Sequence, residues 1–256
     1  MGVPALGGGF QNRCAGRSAS LGTRMGDTAP MPLATYKDLC IDVVDARVSG
    51  EFWASALGWQ LEMHDDGDAH LRDSDGRIQV WLNQVPEPRT VKNRIHIDVR
   101  AASVDEVVAL GATVRHPYEH WTTLADPEGQ ELCVFVRDEP IVKRPYELVW
   151  NCAEGAPASH DIAAWWAAVV GGTVVDDERG FSWIEQIPGC PWDSFDWDGV
   201  PEPKTVKNRL HIDVVTDDLD ALVAHGATVL RMRGDGGLGW TVLADPDGNE
   251  FCAFTD

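Results

Sequence analysis

The sequence predicts an α+β protein made of two homologous halves, each consisting of two βαβββ units. An internal repeat indicates the halves, because residues 86–99 read PEPRTVKNRIHIDV and residues 201–214 read PEPKTVKNRLHIDV. Within each half, apolar residues alternate along a strand, then recur at helical spacing, then mark three further strands. This order occurs twice per half, so the sequence indicates four related units.

Residues 93–136 show the order of elements most clearly. Apolar and polar residues alternate along 95–99, which is the periodicity of a half-buried strand. Ser103 and Glu106 form a capping box at the start of a helix, and Gly111 ends it. Further strands are predicted at 112–116, 121–125 and 131–136.

The other units follow the same pattern. The first is predicted to have a strand near 39–43, a helix before Gly58 and strands at 59–64, 69–72 and 78–83. The second half begins with a strand at 146–151 and a helix at 160–170, and its last unit begins at Arg209. The resulting division is a disordered arm at 1–34, a first domain at 35–137, a linker at 138–145 and a second domain at 146–255. The two units of each half are expected to form one curved sheet, with helices outside and a concave pocket inside.

Composition limits the partners and the location. The chain has 21 basic and 41 acidic residues, a net charge of −20, which repels nucleic acid phosphates. No apolar run reaches the roughly 20 residues that a membrane helix needs. Residues 1–30 lack the apolar core of a secretory signal, so we expect a cytoplasmic protein with reduced thiols. We also expect a monomer with an internal pseudo-twofold axis, or else a homodimer.

The repeated motifs resemble those of the vicinal-oxygen-chelate superfamily, the glyoxalase and bleomycin-resistance type. The motifs are Pro86–Asp98 with Leu124–Cys133, and Pro201–Asp213 with Leu243–Cys252. The resemblance covers about residues 36–255. It implies tandem glyoxalase-like domains with concave pockets. In metal-dependent members it also implies ligands on the first strand of each unit and on the last strand of the second unit, usually His or Gln, then His, then Glu.

Mapped by this resemblance, the metal positions are Cys40, His96 and Cys133 in the first half, and Val149, His211 and Cys252 in the second. Only the histidines keep the family's residue type, so we expect no cofactor. The alternative is Zn²⁺ or another divalent metal at Cys40, His96 and Cys133, a ligand set that suits zinc. The cysteines could equally pack as small apolar side chains, and the histidines could hydrogen-bond to Asp98 and Asp213.

Strand alternation assigns further residues to the concave face. The candidate catalytic residues are His96 as base or ligand, Arg94 as oxyanion stabiliser, Glu131 as assistant and His211 in the second copy. Tryptophan-rich walls with a few polar groups are typical of small-molecule pockets, although the tryptophans could instead fill the interior of the sheet. The candidate ligand-binding residues are Gln79, Trp81, Asp98, Trp121, Arg209 and Trp240.

Two classes of function are compatible with these residues. The first is a protein that binds a small aromatic or carbonyl-containing molecule without the usual metal site. The second is a metal-assisted lyase or isomerase of the glyoxalase type that uses Cys40, His96 and Cys133. A structural or regulatory module without a ligand is a third possibility, because the same fold serves many functions.

Overall fold

The computed structural model describes residues 31–153 and 159–255. Over these residues the chain forms sixteen strands and four α-helices, arranged as four successive βαβββ units. We number the units 1 to 4 in chain order. Residues 1–30 of the predicted arm lie outside the described residues. Leu33 and Ala34, at its end, donate backbone hydrogen bonds of 3.0 and 2.8 Å to Ala168 and Val169.

Units 1 and 2 occupy the first half of the chain. Unit 1 consists of β1 (Thr35–Val43), α1 (Ala46–Leu57), β2 (Gln60–Met63), β3 (Ala69–Arg72) and β4 (Ile78–Gln84). Unit 2 consists of β5 (Ile95–Ala101), α2 (Val104–Ala109), β6 (Thr113–Pro117), β7 (Thr122–Ala125) and β8 (Glu131–Val136). These bounds agree closely with the strands and helices predicted from periodicity.

Units 3 and 4 repeat the arrangement. Unit 3 consists of β9 (Pro145–Ala153), α3 (Ser159–Val170), β10 (Thr173–Asp176), β11 (Ser182–Glu185) and β12 (Ser194–Val200). Unit 4 consists of β13 (Leu210–Val215), α4 (Leu219–Ala224), β14 (Thr228–Arg231), β15 (Thr241–Ala244) and β16 (Glu250–Phe254). None of the described helices is long and apolar enough to cross a membrane.

Local side chains begin and end the helices as the sequence indicates. Ser103 Oγ accepts from the Glu106 backbone N–H at 3.1 Å, and the Glu106 carboxylate accepts from the Ala102 N–H at 3.0 Å. This reciprocal pair confirms the capping box at α2. Helix α1 has Asp45 as its N-cap and ends at Gly58, whose φ of 73° is in the left-handed region that glycine adopts without strain.

The strands form two eight-stranded sheets, and each sheet contains two βαβββ units, which confirms the predicted fold class. The expected partners were wrong, however. Units 1 and 4 form one sheet, in the order β14-β15-β16-β13-β1-β4-β3-β2, and units 2 and 3 form the other, in the order β10-β11-β12-β9-β5-β8-β7-β6. We call these the 1–4 sheet and the 2–3 sheet. Each sheet therefore draws one unit from each half of the chain.

Pairing between first strands causes this exchange. β1 runs antiparallel to β13, with Cys40 opposite His211, and β5 runs antiparallel to β9, with His96 opposite Val149. Units 2 and 3 are neighbours in the chain, so the short connection from β8 to β9 brings β9 beside β5. Unit 1 then pairs with unit 4, which presents an equivalent edge.

Two equivalent hydrogen bonds, one in each half of the chain, connect the 1–4 sheet to the 2–3 sheet. Trp53 of α1 donates Nε1–H to Asp126 Oδ2 at 3.2 Å, across to the turn between β7 and β8. The other oxygen of Asp126 accepts from the backbone N–H groups of Glu128 and Gln130 at 2.9 and 2.8 Å. In the second half, Trp166 and Asp245 form the corresponding bond at 3.1 Å. One buried carboxylate thus stabilises both a turn and the contact between sheets.

We expect Asp126→Ala to lower the free energy of unfolding by about 2–5 kcal/mol, because it leaves three buried N–H donors without their acceptor. Asp245→Ala should have an effect of the same size for the same reason. Urea unfolding measures both values. Asp138→Ala is the matched control, since Asp138 is exposed and its removal should change stability by less than about 0.5 kcal/mol. An equal effect in all three variants would contradict the role of this contact.

Candidate functional site

The concave face of the 1–4 sheet holds a cavity of about 550 Å³, which we call the pocket. Three of its walls are aromatic, and they come from opposite sides of the sheet. Trp81 lies on β4, on one side of the central strands. On the other side, Trp240 directly precedes β15 and Phe254 lies on β16. Polar side chains of the central strands β1 and β13 form the floor between these walls.

Strand alternation positions the floor. On β1 the apolar residues Leu39 and Ile41 enter the core, so Cys40 lies on the opposite, concave face. On β13 the same alternation places His211 and Asp213 on that face. Cys40 pairs with His211 and Asp38 pairs with Asp213, which brings these four side chains together at the middle of the sheet.

The floor is a compact cluster of possible metal ligands. Cys40 Sγ lies 3.5 Å from Asp213 Oδ2, and His211 Nε2 lies 3.5 Å from Asp213 Oδ1. One ligand atom from each of these three residues lies within 4.8 Å of the others. Lys37 Nζ is 2.6 Å from Asp38 Oδ2 and 3.7 Å from Asp213 Oδ2, so a single cation serves two buried carboxyl groups.

Burial controls the protonation of the floor. Burial raises the pKa of Asp213 to about 8, and the adjacent Asp38 adds to the shift. Burial also lowers the pKa of His211 to about 4, assisted by Lys207, and raises the pKa of Cys40 well above its ordinary value. Near pH 7 the floor therefore carries a protonated Asp213, a neutral imidazole and a thiol, all of which can lose or reorient protons when a ligand arrives.

The 2–3 sheet carries the same motif in a closed setting. His96 Nε2 lies 3.3 Å from Asp98 Oδ1, and these residues form a second group of possible ligands with Cys133. Above them, Trp121 and Phe135 are buried in an aromatic cluster with Tyr146 and Tyr118. Their counterparts Trp240 and Phe254 line the open pocket of the other sheet.

The structure does not bring together the predicted metal residues. Cys40 lies on the 1–4 sheet, whereas His96 and Cys133 lie on the 2–3 sheet. The mapping assumed that the units of one half share a sheet, and the pairing of β1 with β13 invalidates that assumption. The same exchange separates Val149 from the other two positions of the second half. The pocket instead combines Cys40 with His211, Asp213 and Cys252.

The predicted ligand-binding side chains are divided among different places. Trp81 and Trp240 line the pocket, whereas Trp121 is only 4% exposed within the aromatic cluster. Gln79 is buried and donates to Asp73 Oδ2 at 2.7 Å, in the turn that precedes β4. Asp98 lies beside His96 on the floor of the closed sheet.

Three other predicted residues, Arg94, Arg209 and Glu131, lie outside both concave floors or are already bonded to other residues. Arg94 donates to the carbonyl of Glu202 at 2.7 Å, in a cleft between the two halves, and Arg209 occupies the equivalent position. Glu131 forms an ion pair with Arg89 and accepts from the Asn93 backbone N–H at 3.2 Å. These contacts support the conformation of the PEPRTVKN segment.

Strand alternation assigns Asp38, with Cys40 and Asp42, to the concave face, but sequence reasoning overlooked Lys37. Its counterpart in the second half is Tyr146, so the repeat gives no signal for a cation at this position. Asp213 belongs to the repeated His-x-Asp pattern, which was the available signal for it.

The glyoxalase-like domain family is matched twice, over residues 38–135 and 150–254. A glyoxalase I mutant from Zea mays superposes with a TM-score of 0.62 at 12% identity, covering 86% of this chain and 92% of that chain. A candidate dioxygenase from Bacillus subtilis superposes with a TM-score of 0.58 at 14% identity, covering 88% and 86%. At these identities the likeness shows the fold alone. No curated protein sequence matches the chain.

The protonation of Asp213 predicts how stability depends on pH in metal-free protein. Between pH 6.5 and 8 the folded carboxyl keeps its proton, while the unfolded one, with a pKa near 3.8, has lost it. The folded state binds more protons, so the free energy of unfolding should fall by about 1–2 kcal/mol as pH rises through this window. His211 opposes this fall by only about 0.4 kcal/mol, because its imidazole has an ordinary pKa of 6.5 and a folded pKa of about 4, so only the last half of its proton is lost from the unfolded state within the window.

Urea unfolding at the two pH values tests this expectation. Asp213→Asn should reduce the fall, and the difference from the parent protein separates Asp213 from Asp245, whose pKa burial raises to about 7. Asp65→Asn serves as the exposed control and should behave like the parent. An unchanged fall in Asp213→Asn would show that this carboxyl does not hold the proton.

Proposed function

The chain belongs to the glyoxalase-like domain family, and from this premise we propose that it binds a small aromatic or carbonyl-containing molecule in the pocket of the 1–4 sheet. The observation that carries the proposal is an aromatic-walled cavity of about 550 Å³ directly above a buried polar floor. Cavities of this size with few polar groups are typical of small-molecule sites. The floor and the walls each contribute a separate preference.

The walls favour a flat ligand. Trp240 packs against Phe254 with ring centroids 5.4 Å apart, which holds both rings at one side of the cavity. Across the floor, Trp81 is supported by His64 and His70, with centroids 5.3 and 5.1 Å away. A planar aromatic ligand between such faces gains contact area at little conformational cost.

The floor favours a carbonyl group. Because burial raises the pKa of Asp213 to about 8, its carboxyl group is largely protonated at neutral pH and can donate a hydrogen bond. A carbonyl oxygen is the complementary acceptor. Asp213 Oδ1 and His211 Nδ1 are buried without hydrogen-bond partners among the described residues. Burying such polar atoms costs free energy, and a hydrogen bond to a bound polar group would recover it.

Binding can be tested with a matched pair of probes, 4-hydroxyacetophenone and 4-ethylphenol, which differ in the carbonyl oxygen. We expect calorimetric titration to show tighter binding of the ketone. Trp240→Leu should weaken both probes about tenfold by removing an aromatic wall. Asp213→Ala should abolish the preference for the ketone, whereas Asp213→Asn should retain it because the amide still donates.

Trp183→Leu is the control for these titrations, since Trp183 is a partly buried tryptophan of the 2–3 sheet. It should leave both affinities unchanged. The assignment of the pocket would be contradicted if neither probe bound, or if Trp183→Leu and Trp240→Leu lost affinity equally.

The cluster of possible metal ligands on the floor of the pocket favours a second candidate function, that of a metal-assisted lyase or isomerase. Thiol, imidazole and carboxylate donors form a set that suits Zn²⁺, and those of Cys40, His211 and Asp213 lie within 4.8 Å of one another. The lowered pKa of His211 keeps its imidazole neutral, as a ligand must be. These residues fit a divalent cation, which would polarise a substrate carbonyl when bound. His211 and Asp213, as ligands, would fix the position of that carbonyl on the floor. The sequence-based prediction instead gave the catalytic roles to His96 as base or ligand, Arg94 as oxyanion stabiliser and Glu131 as assistant.

Zinc titration with an indicator dye distinguishes this candidate. We expect the parent protein to bind one equivalent of Zn²⁺ tightly. Cys40→Ala and His211→Ala should each abolish this binding, because each variant removes one of the three metal ligands. Cys133→Ala is the matched control on the 2–3 sheet and should keep that equivalent. Zinc uptake that is equal in all four proteins would eliminate a metal site in the pocket while leaving ligand binding there intact.

A further inference from the structure

A second cavity, of about 580 Å³, lies between the two halves of the chain, and we call it the cleft. Its walls are the two copies of the repeated segment, residues 87–94 and residues 202–209 without Lys204, together with Asp42. Arg94 Nη1 donates to the Glu202 carbonyl at 2.7 Å, and Arg209 Nη1 donates to the Glu87 carbonyl at 2.6 Å. These two reciprocal bonds are equivalent under the internal pseudo-twofold axis that relates the two walls.

The cleft is basic although the protein is strongly acidic. Five basic and three acidic side chains line it, in a chain whose net charge is −20. Two of the basic residues are already paired with acids, Lys207 with Asp42 and Arg89 with Glu131. The hydrogen bonds of Arg94 and Arg209 go to neutral carbonyl oxygens. Among the described residues, no acid forms an ion pair with either of these two arginines, so their charges can attract an anion to a protein whose net charge otherwise repels it.

Buried donors in the cleft also lack acceptors. The Nε–H groups of Arg94 and Arg209 are buried without hydrogen-bond partners among the described residues, and so is that of Arg89. Such groups are rare because each costs free energy that a hydrogen bond would recover. Desolvation lowers the pKa of Lys92 to about 8, against the opposing charge of Glu202 and together with the like charge of Arg94.

We propose that the cleft binds a small dianion whose two oxyanion groups, phosphate or carboxylate, bridge Arg94 of one half and Arg209 of the other. Guanidinium groups match both kinds of oxyanion geometrically, and such bonds are about twice as strong as neutral ones. The twofold arrangement requires two acceptor groups rather than one. This site is separate from the floor of the pocket, and the proposal rests on none of the residues that form that floor.

Calorimetric titration with pyrophosphate and with malonate, at low salt and pH 7, tests the proposal and distinguishes the two anion chemistries. We expect one equivalent of at least one anion to bind, and Arg94→Gln and Arg209→Gln to raise its Kd about tenfold each. Arg179→Gln is the control, because Arg179 pairs locally with Asp177 on unit 3. It should leave the Kd unchanged.

Lys92→Gln provides a variant that leaves the Arg94 and Arg209 contacts between the walls intact. In the parent protein, raising the pH from 7 to 9 should weaken binding of malonate, whose charge is constant over this range, because Lys92 loses its proton above its pKa of about 8. In Lys92→Gln this pH dependence should disappear. Circular dichroism confirms that each variant is folded. Failure of both anions to bind at millimolar concentration, or unchanged affinity in folded Arg94→Gln and Arg209→Gln, would overturn the proposal.

Discussion

Antiparallel pairing between first strands is the constraint on which the rest of the structure depends. The β1–β13 and β5–β9 ladders join units from opposite halves, so neither half can complete a sheet by itself. The same ladders place Cys40 opposite His211 and Asp38 opposite Asp213, which creates the floor of the pocket. The Trp53–Asp126 and Trp166–Asp245 hydrogen bonds then connect the two sheets within each half. Fold and candidate site therefore share one cause.

Duplication has produced one motif in two environments. Both halves supply a His-x-Asp pair and a cysteine, yet the first strands that join them differ, because β1 contributes Cys40 and Lys37 where β9 contributes Val149 and Tyr146. Tyr146 packs edge-on against Phe135 with centroids 5.0 Å apart and helps to close the 2–3 sheet. At the corresponding position Lys37 lines the pocket, with its Nζ 4.4 Å from the centre of the Phe254 ring. The two concave faces therefore differ in their lining.

The pocket and the cleft are adjacent. Asp42 and Lys207 line both cavities, and their ion pair stands between them. Lys207 also contributes to the lowered pKa of His211. An anion bound in the cleft would compete with Asp42 for Lys207 and so change the charge at the edge of the pocket. The two proposed sites therefore share one ion pair.

The sequence by itself determined the four units, because the signals for strands, caps and turns are local. Ser103 with Glu106 and Gly58 with its left-handed φ act over a few residues, and the structure has them as predicted. The choice of Trp81, Trp240 and His211 for a concave face likewise needed only strand alternation. Only the tertiary structure decided which units share a sheet, and hence that Cys40 meets His211 rather than His96. Homologous units present nearly identical edges, so local pattern cannot distinguish the partners, and chain connectivity and packing between sheets make that choice.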